Sequence, residues 1–291
     1  MGVHARFSGP GEGRSRVASP IKTSFRLTGA DGGALRGDVR TAGGARPAVV
    51  ICHGFKGFKD WGYFPVTADR LARAGFAAVS FNLSGAGVGD DGETFDEPER
   101  FGRNTYSAQL ADLDIILQAL GSGALGLQPP AVGLLGHSMG GGVAILRAAR
   151  DRTIQALVTW ASVARFGRLW RDDQIADWRR TGRLDVVNQR TGDVLPLYLD
   201  ILDDLERNRA SLDVLRAARD VRVPWLIAHG SADETVPVTD AQELSSRAPS
   251  ATPLILDRAG HTFGIKHPWS GSTEAFDRLL EATLDWFSRH L

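Results

Sequence analysis

A chain of 291 residues is long for one average domain and ordinary for a single large sheet enzyme carrying an insertion. Hydrophobic residues make up 43% and charged residues 23%, and 34 Lys plus Arg balance 34 Asp plus Glu, so no charge bias favours nucleic acid or an acidic membrane surface as partner. The single cysteine cannot close an internal disulfide, and the seven histidines lack H-x-x-x-H spacing, which leaves a dedicated metal site little support.

Residues 1–20 are rich in Gly, Ser, Arg and Pro without apolar periodicity, and read as a flexible tail. They lack the apolar run of a secretory signal, and no later stretch has the length of a membrane span, so a cytoplasmic location is expected. Phe25–Thr28 and Leu35–Val39 are short and partly alternating, as an antiparallel pair at a sheet edge would be. From Pro47 onward, continuous apolar runs alternate with segments of helical period. Strands buried on both faces by crossover helices produce that text. The expected strands are Ala48–Cys52, Phe76–Phe81, Ala131–Leu135, Ile154–Trp160, Val223–Ala228 and Pro253–Leu256, with Cys52 a buried, inert thiol. Helical spacing marks Tyr106, Leu110, Leu113, Ile116, Leu117 and Leu120, and again Phe276, Leu280, Leu284 and Phe287.

Between Trp160 and Val223 lie about sixty residues, more than a crossover needs. An insertion over about residues 164–216 accounts for the excess. It carries Trp170 and Trp178, and Leu184–Val187 faces Leu195–Tyr198 across Arg190-Thr191-Gly192-Asp193, a hairpin between helical flanks. Such a segment is either a cap over a site or a surface decoration.

Gly136-His137-Ser138-Met139-Gly140 fits G-x-S-x-G, a pattern that is weak alone and gains meaning from its neighbours. An apolar strand precedes it directly and the buried helix text Val143–Ala149 follows. A sharp strand-to-helix turn exposes a serine hydroxyl, and flanking glycines let the two elements approach. Ser138 is therefore the candidate nucleophile. A serine needs a histidine base and a carboxylate to hold the base's tautomer, in the chain order Ser, acid, His. Asp233 follows one expected strand and His261 the next, both at carboxyl ends where open sheets assemble sites. Glu234 and Asp257 rival Asp233 as the acid, and His229 and His267 are weaker bases. The Met139 amide at the helix start and the Phe55 amide in His53-Gly54-Phe55-Lys56-Gly57 are the candidate oxyanion donors, with His53 bracing that loop. Phe55, Trp61 and Phe64 are candidate pocket residues, as are Trp170, Trp178 and Tyr198 from the insertion.

The His53-Gly54 loop, the Gly136–Gly141 elbow, the His229–Asp233 segment and the Gly260-His261 loop together resemble the α/β-hydrolase superfamily over about Pro47 to Leu291. The resemblance is to its small esterases and serine-aminopeptidase-like members, including capped cinnamoyl and feruloyl esterases and dienelactone-hydrolase relatives. Dienelactone hydrolases proper use a cysteine where this chain has Ser138, and Asn82 and Ser84 replace the acidic residue and arginine of many relatives. The resemblance implies an α/β-hydrolase fold, a mostly parallel central sheet with helices on both faces and an inserted cap. It also implies hydrolysis of a small-molecule ester through an acyl-enzyme, without cofactor or metal. A peptidase or amidase on the same residues, and a non-catalytic ligand-binding member of the fold, remain the alternatives.

Overall fold

The computed structural model describes residues 19–44 and 46–291, so residues 1–18 of the expected tail lie outside the described residues. In chain order the main elements are β1 (Ile21–Thr28), β2 (Ala34–Thr41), β3 (Ala48–Cys52), α1 (Phe64–Arg73), β4 (Ala77–Phe81), α2 (Pro98–Gly102) and α3 (Tyr106–Ser122). Then come β5 (Val132–His137), α4 (Met139–Ala148) and β6 (Ile154–Trp160). After an excursion, β9 (Trp225–Gly230), α8 (Thr239–Arg247), β10 (Ala251–Leu256) and α9 (Glu274–His290) complete the chain.

The eight strands form one sheet in the order β1-β2-β4-β3-β5-β6-β9-β10. β1 pairs antiparallel with β2 from Ile21↔Thr41 to Thr28↔Ala34, β2 pairs antiparallel with β4, and every other pairing is parallel. Alternation along each strand sends neighbouring side chains to opposite faces. Val50, Val79, Leu134 and Leu157 bury against α3 and α4 on one face. Val49, Ala78, Leu135 and Val158 bury against α1 and α9 on the other. With both faces covered, these strands read as unbroken apolar runs, and truncating one such leucine to alanine costs about 2–5 kcal/mol. Threonine caps fix two helix starts: Thr105 accepts from the Ala108 amide and Thr273 from the Phe276 amide, each at 3.1 Å.

Among the strand ends that differ from the sequence expectation, two matter for the site. β5 runs through Gly136 and His137, paired with Thr159 and Trp160, although the apolar run stops at Leu135. β9 likewise continues through His229 and Gly230, paired with Ile255 and Leu256 of β10. Backbone pairing does not need an apolar side chain, so the strands outlast the hydrophobic text exactly where polar residues reach the carboxyl edge. β10 is an edge strand that tolerates Pro253 and leaves Ile255 exposed, unlike the buried interior strands.

The excursion between β6 and β9 contains α5 (Asp172–Thr181), the hairpin β7 (Arg183–Val187) and β8 (Val194–Tyr198), α6 (Asp200–Arg207) and α7 (Val214–Asp220). The hairpin register is Leu184↔Leu197 through Val187↔Val194, and the Asn188 amide donates to the Asp193 carbonyl at 2.8 Å. Its entry is pinned by the Ala164 amide, which donates to buried Asp240 at 2.7 Å. No helix among the described residues is long and apolar enough to cross a membrane.

Candidate active site

The chain turns from β5 into α4 within one residue, Ser138, whose backbone takes φ 56° and ψ −121°. Few non-glycine residues hold a positive φ, and the conformation persists because its surroundings fix it. The Ser138 amide donates to the Trp160 carbonyl at 2.9 Å, and its carbonyl accepts from the Gly141 amide at 3.0 Å. A Cβ on Gly140 would collide with the carbonyl oxygens of Cys52 and His53, so glycine is what lets the elbow sit against the end of β3.

Two loops bring the candidate base and the candidate acid to that hydroxyl. His261 Nδ1–H donates to Asp233 Oδ2 at 2.8 Å, which leaves Nε2 as the acceptor facing Ser138 Oγ at 3.0 Å. The other Asp233 oxygen accepts the amides of Thr235 and Val236, each at 2.9 Å. Burial alone would raise the Asp233 carboxyl, but hydrogen bonds from His229 and His261 and the Val236 amide outweigh it and hold the group well below the usual carboxylate range. Glu234 is exposed, and Asp257 points to solvent beside Arg258. Neither rival acid reaches His261.

After β3, the Gly57 amide donates to the Gly54 carbonyl at 3.0 Å, closing a tight turn with Phe55 and Lys56 at its corners. The amides of Phe55 and Met139 donate to no acceptor among the described residues. His53 serves the loop as a brace: its Nδ1–H donates to the Gly54 carbonyl at 2.9 Å and its Nε2 accepts the Leu83 amide at 3.1 Å. Both ring nitrogens are committed, and burial pushes the imidazole down to about 4, so it stays neutral. Ser138 and His261 open on a cleft of about 130 Å³ whose walls include Gly54, Phe55, Lys56, Trp61 and Tyr63. No group of three or more His, Cys, Asp or Glu that could hold a metal occurs among the described residues.

A profile described as alpha/beta hydrolase family matches residues 49–271. The chain belongs to that family. A Streptomyces coelicolor protein named bis(hydroxyethyl) terephthalate hydrolase is 32% identical over 148 residues, which is 49% of this chain and 41% of that one. The matched stretch of an uncharacterized Escherichia coli protein covers 38% of its length, so the chain spans about two-fifths of the curated relatives it matches. Among solved structures, Est1E from Butyrivibrio proteoclasticus superposes with a TM-score of 0.66 at 18% identity, covering 91% of this chain and 98% of that one. The acylaminoacyl peptidase of Pyrococcus horikoshii superposes at 0.67 and 18% identity, covering 95% and 42%. At such identities the likeness is one of fold.

Within this hydrolase, the pocket residues expected from the sequence fall in different places. Trp61 lines the cleft. Trp170 stands one shell away, its ring edge-on to Phe55 at 5.3 Å. Trp178 is fully buried behind Trp170, and Tyr198 points outward, its hydroxyl donating to Glu99 at 2.8 Å with the Arg103 guanidinium over its ring. The excursion thus buries Trp178 in the apolar cluster that it shares with α3, α4 and one face of the sheet, while Tyr198 is engaged by Glu99 and Arg103 and does not line the cleft. Three histidines hold positions that the sequence does not reveal, and neither His229 nor His267, the weaker candidate bases, takes the place facing Ser138. His137 donates from Nε2 to the His261 carbonyl at 3.1 Å and is held neutral, burial and the neighbouring His261 pushing it down to about 3. His229 lies buried behind the candidate acid, donating to the Val236 carbonyl at 2.8 Å with Asp233 at 3.4 Å, so it supports the carboxylate instead of facing the serine. His267 accepts the Gly62 amide at 3.0 Å and stacks beside Trp61, fixing a cleft wall. All three act through backbone carbonyls or amides that only the folded chain brings within reach.

Proposed function

We propose that the protein hydrolyses carboxylic esters through an acyl-enzyme on Ser138. The single observation that carries the reading is the continuous hydrogen-bonded line Ser138 Oγ, His261, Asp233, with both imidazole nitrogens committed in the orientation that general-base catalysis requires. His261 Nε2 takes the Ser138 proton as Oγ bonds to the ester carbonyl carbon. The charge that develops on the carbonyl oxygen is stabilised by the Met139 and Phe55 amides, each such donor being worth about 100- to 1,000-fold in rate. The tetrahedral intermediate collapses as His261 returns the proton to the departing alkoxide. Water, deprotonated by the same nitrogen, then releases the acid and frees Ser138.

An ester is favoured over a peptide with a free amino terminus because the residues lining the cleft include no Asp or Glu to receive an α-ammonium group. The name of the Streptomyces relative also designates a hydrolase of an ester. We assign the excursion between β6 and β9 the role of a cap that sets substrate choice through the Trp170 to Phe55 contact. The test is covalent labelling by a fluorophosphonate, with the adduct located by peptide mass spectrometry, beside a panel of aryl esters and aminoacyl amides. Modification of Ser138 together with ester turnover exceeding amide turnover is the expected result. Absence of labelling in a folded protein would sink the proposal and leave a non-catalytic binding member of the fold.

A further inference from the structure

Lys56 is the only Lys, Arg, Asp or Glu among the described residues that line the cleft with Ser138 and His261. It is half-buried, and its ammonium reaches one hydrogen-bond acceptor among the described residues, the Val187 carbonyl at the end of β7, at 3.4 Å. Burial lowers its affinity for the proton, and no carboxylate among the described residues offsets that loss. Lys59, three residues on, is by contrast paired with Asp38 at 2.6 Å and with Asp60. The Phe55 ring, 6.0 Å from the ammonium, gives at most a marginal cation–π contact.

The backbone at Lys56 adds a second observation. It occupies the left-handed corner of the Gly54 to Gly57 turn at φ 55°, where glycine or asparagine would sit with less strain. A strained corner next in the chain to Phe55, the candidate oxyanion donor, thus carries a half-buried cleft cation that no carboxylate among the described residues pairs. Such a cation gains more from an incoming anion than a solvated surface lysine does, because its desolvation is already complete in part.

We propose that Lys56 selects esters that carry a carboxylate near the scissile carbonyl, the simplest class being half-esters of dicarboxylic acids. The inference rests on the ester-hydrolase reading above. On binding, the substrate carboxylate pairs with the Lys56 ammonium and takes the place of the Val187 carbonyl. The bond changes at Ser138 are unaltered.

Two matched pairs test it: glutaric acid mono(4-nitrophenyl) ester against its methyl ester, and 4-acetoxybenzoate against methyl 4-acetoxybenzoate. Each ratio of kcat/KM, anionic over neutral, is corrected for the spontaneous rates. The expected ratio in at least one pair is about tenfold or more, the scale of one charge-assisted hydrogen bond. It should fall about tenfold in Lys56→Gln and recover in large part in Lys56→Arg. Raising sodium chloride in the parent protein should also lower the ratio, an arm that needs no variant. A ratio near one in both pairs, or one that Lys56→Gln leaves in place, overturns the assignment of Lys56 while fluorophosphonate labelling keeps the ester reading standing. Loss of labelling in the parent protein would remove that reading itself.

Discussion

The side chain of His137 is hydrogen-bonded to the backbone of His261, Nε2 to carbonyl oxygen at 3.1 Å, with the two rings 4.8 Å apart. The variable position of the elbow motif therefore holds the loop that carries the proposed base. Replacing His137 by Phe keeps the ring bulk and removes the donor. A lost hydrogen bond of about 0.5–1.5 kcal/mol should lower kcat about 3- to 10-fold with little change in KM, while labelling of Ser138 persists at a reduced rate. An unchanged kcat in folded His137→Phe would show that the loop positions His261 without this bond.

Ser138→Ala should abolish labelling and nearly all ester turnover in a protein of normal fold. Ser138→Gly offers a separate reading of the elbow. Because the backbone there holds φ 56°, the glycine variant should exceed the alanine variant in unfolding free energy by about 1 kcal/mol, strain relief outweighing the added freedom of the unfolded chain. Urea titration of both proteins measures the difference.

Asp233→Asn should reduce kcat by about a thousandfold or more, since an amide favours the wrong tautomer of His261. Glu234→Gln and Asp257→Asn, which alter exposed side chains, should stay within about twofold of the parent, as surface substitutions usually do. A large effect at Glu234 or Asp257 and a small one at Asp233 would reassign the acid.

Stability should fall with acid before any surface carboxylate titrates. His53 and His137 are neutral in the folded chain down to about 4 and about 3, whereas unfolded histidines take up protons below their ordinary value of about 6.5. Between those limits the unfolded state binds more protons, so unfolding free energy rises with pH and is lost as the pH drops. At pH 5 each ring costs on the order of 2 kcal/mol relative to pH 7. Asp233, held low in the fold, adds loss in the same direction only at more acidic pH. Urea midpoints at pH 7 and pH 5 should therefore separate, and the separation should shrink in His137→Phe. Equal separations in parent and variant would remove His137 from this account.

The two tryptophans of the excursion should behave differently. Trp170→Ala frees Phe55 and should reorder the preferred acyl groups and raise KM. Trp178→Ala removes a fully buried ring and should cost about 3–5 kcal/mol of stability. Tyr198→Phe deletes only an exposed bond to Glu99 and should leave both substrate ranking and stability nearly unchanged. Identical rankings across Trp170→Ala and the parent would reduce the excursion to decoration.

What the linear text reveals depends on the physical signal each feature leaves in it. Buried parallel strands such as Ala48–Cys52 and Ile154–Trp160 were legible with their observed bounds, because cover on both faces demands unbroken apolar runs. Their polar extensions, Gly136-His137 and His229-Gly230, were not, since backbone pairing leaves no mark on side-chain hydrophobicity. Ser138, Asp233 and His261 could be singled out from the elbow and their order, and the structure brings them together. The inward or outward direction of Trp178 and Tyr198 could not, because it depends on how the excursion packs against the rest of the fold. The brace at His137 and the solitary cation at Lys56 depend on partners more than a hundred residues away in the chain.

The excursion departs from β6 and returns on β9, and those two strands are direct neighbours paired from Leu157↔Trp225 to Trp160↔Ala228. Its two anchors are thus fixed side by side by the sheet itself, whatever lies between them. Lengthening such a segment adds only a slowly growing closure penalty, about 0.6 kcal/mol for each doubling. The chain can therefore trade one excursion for another, by recombination or by design, while the register that aligns Ser138 with Asp233 is left undisturbed. Under the proposed cap role, new substrate ranges become reachable at this junction without the sheet having to be refolded around them.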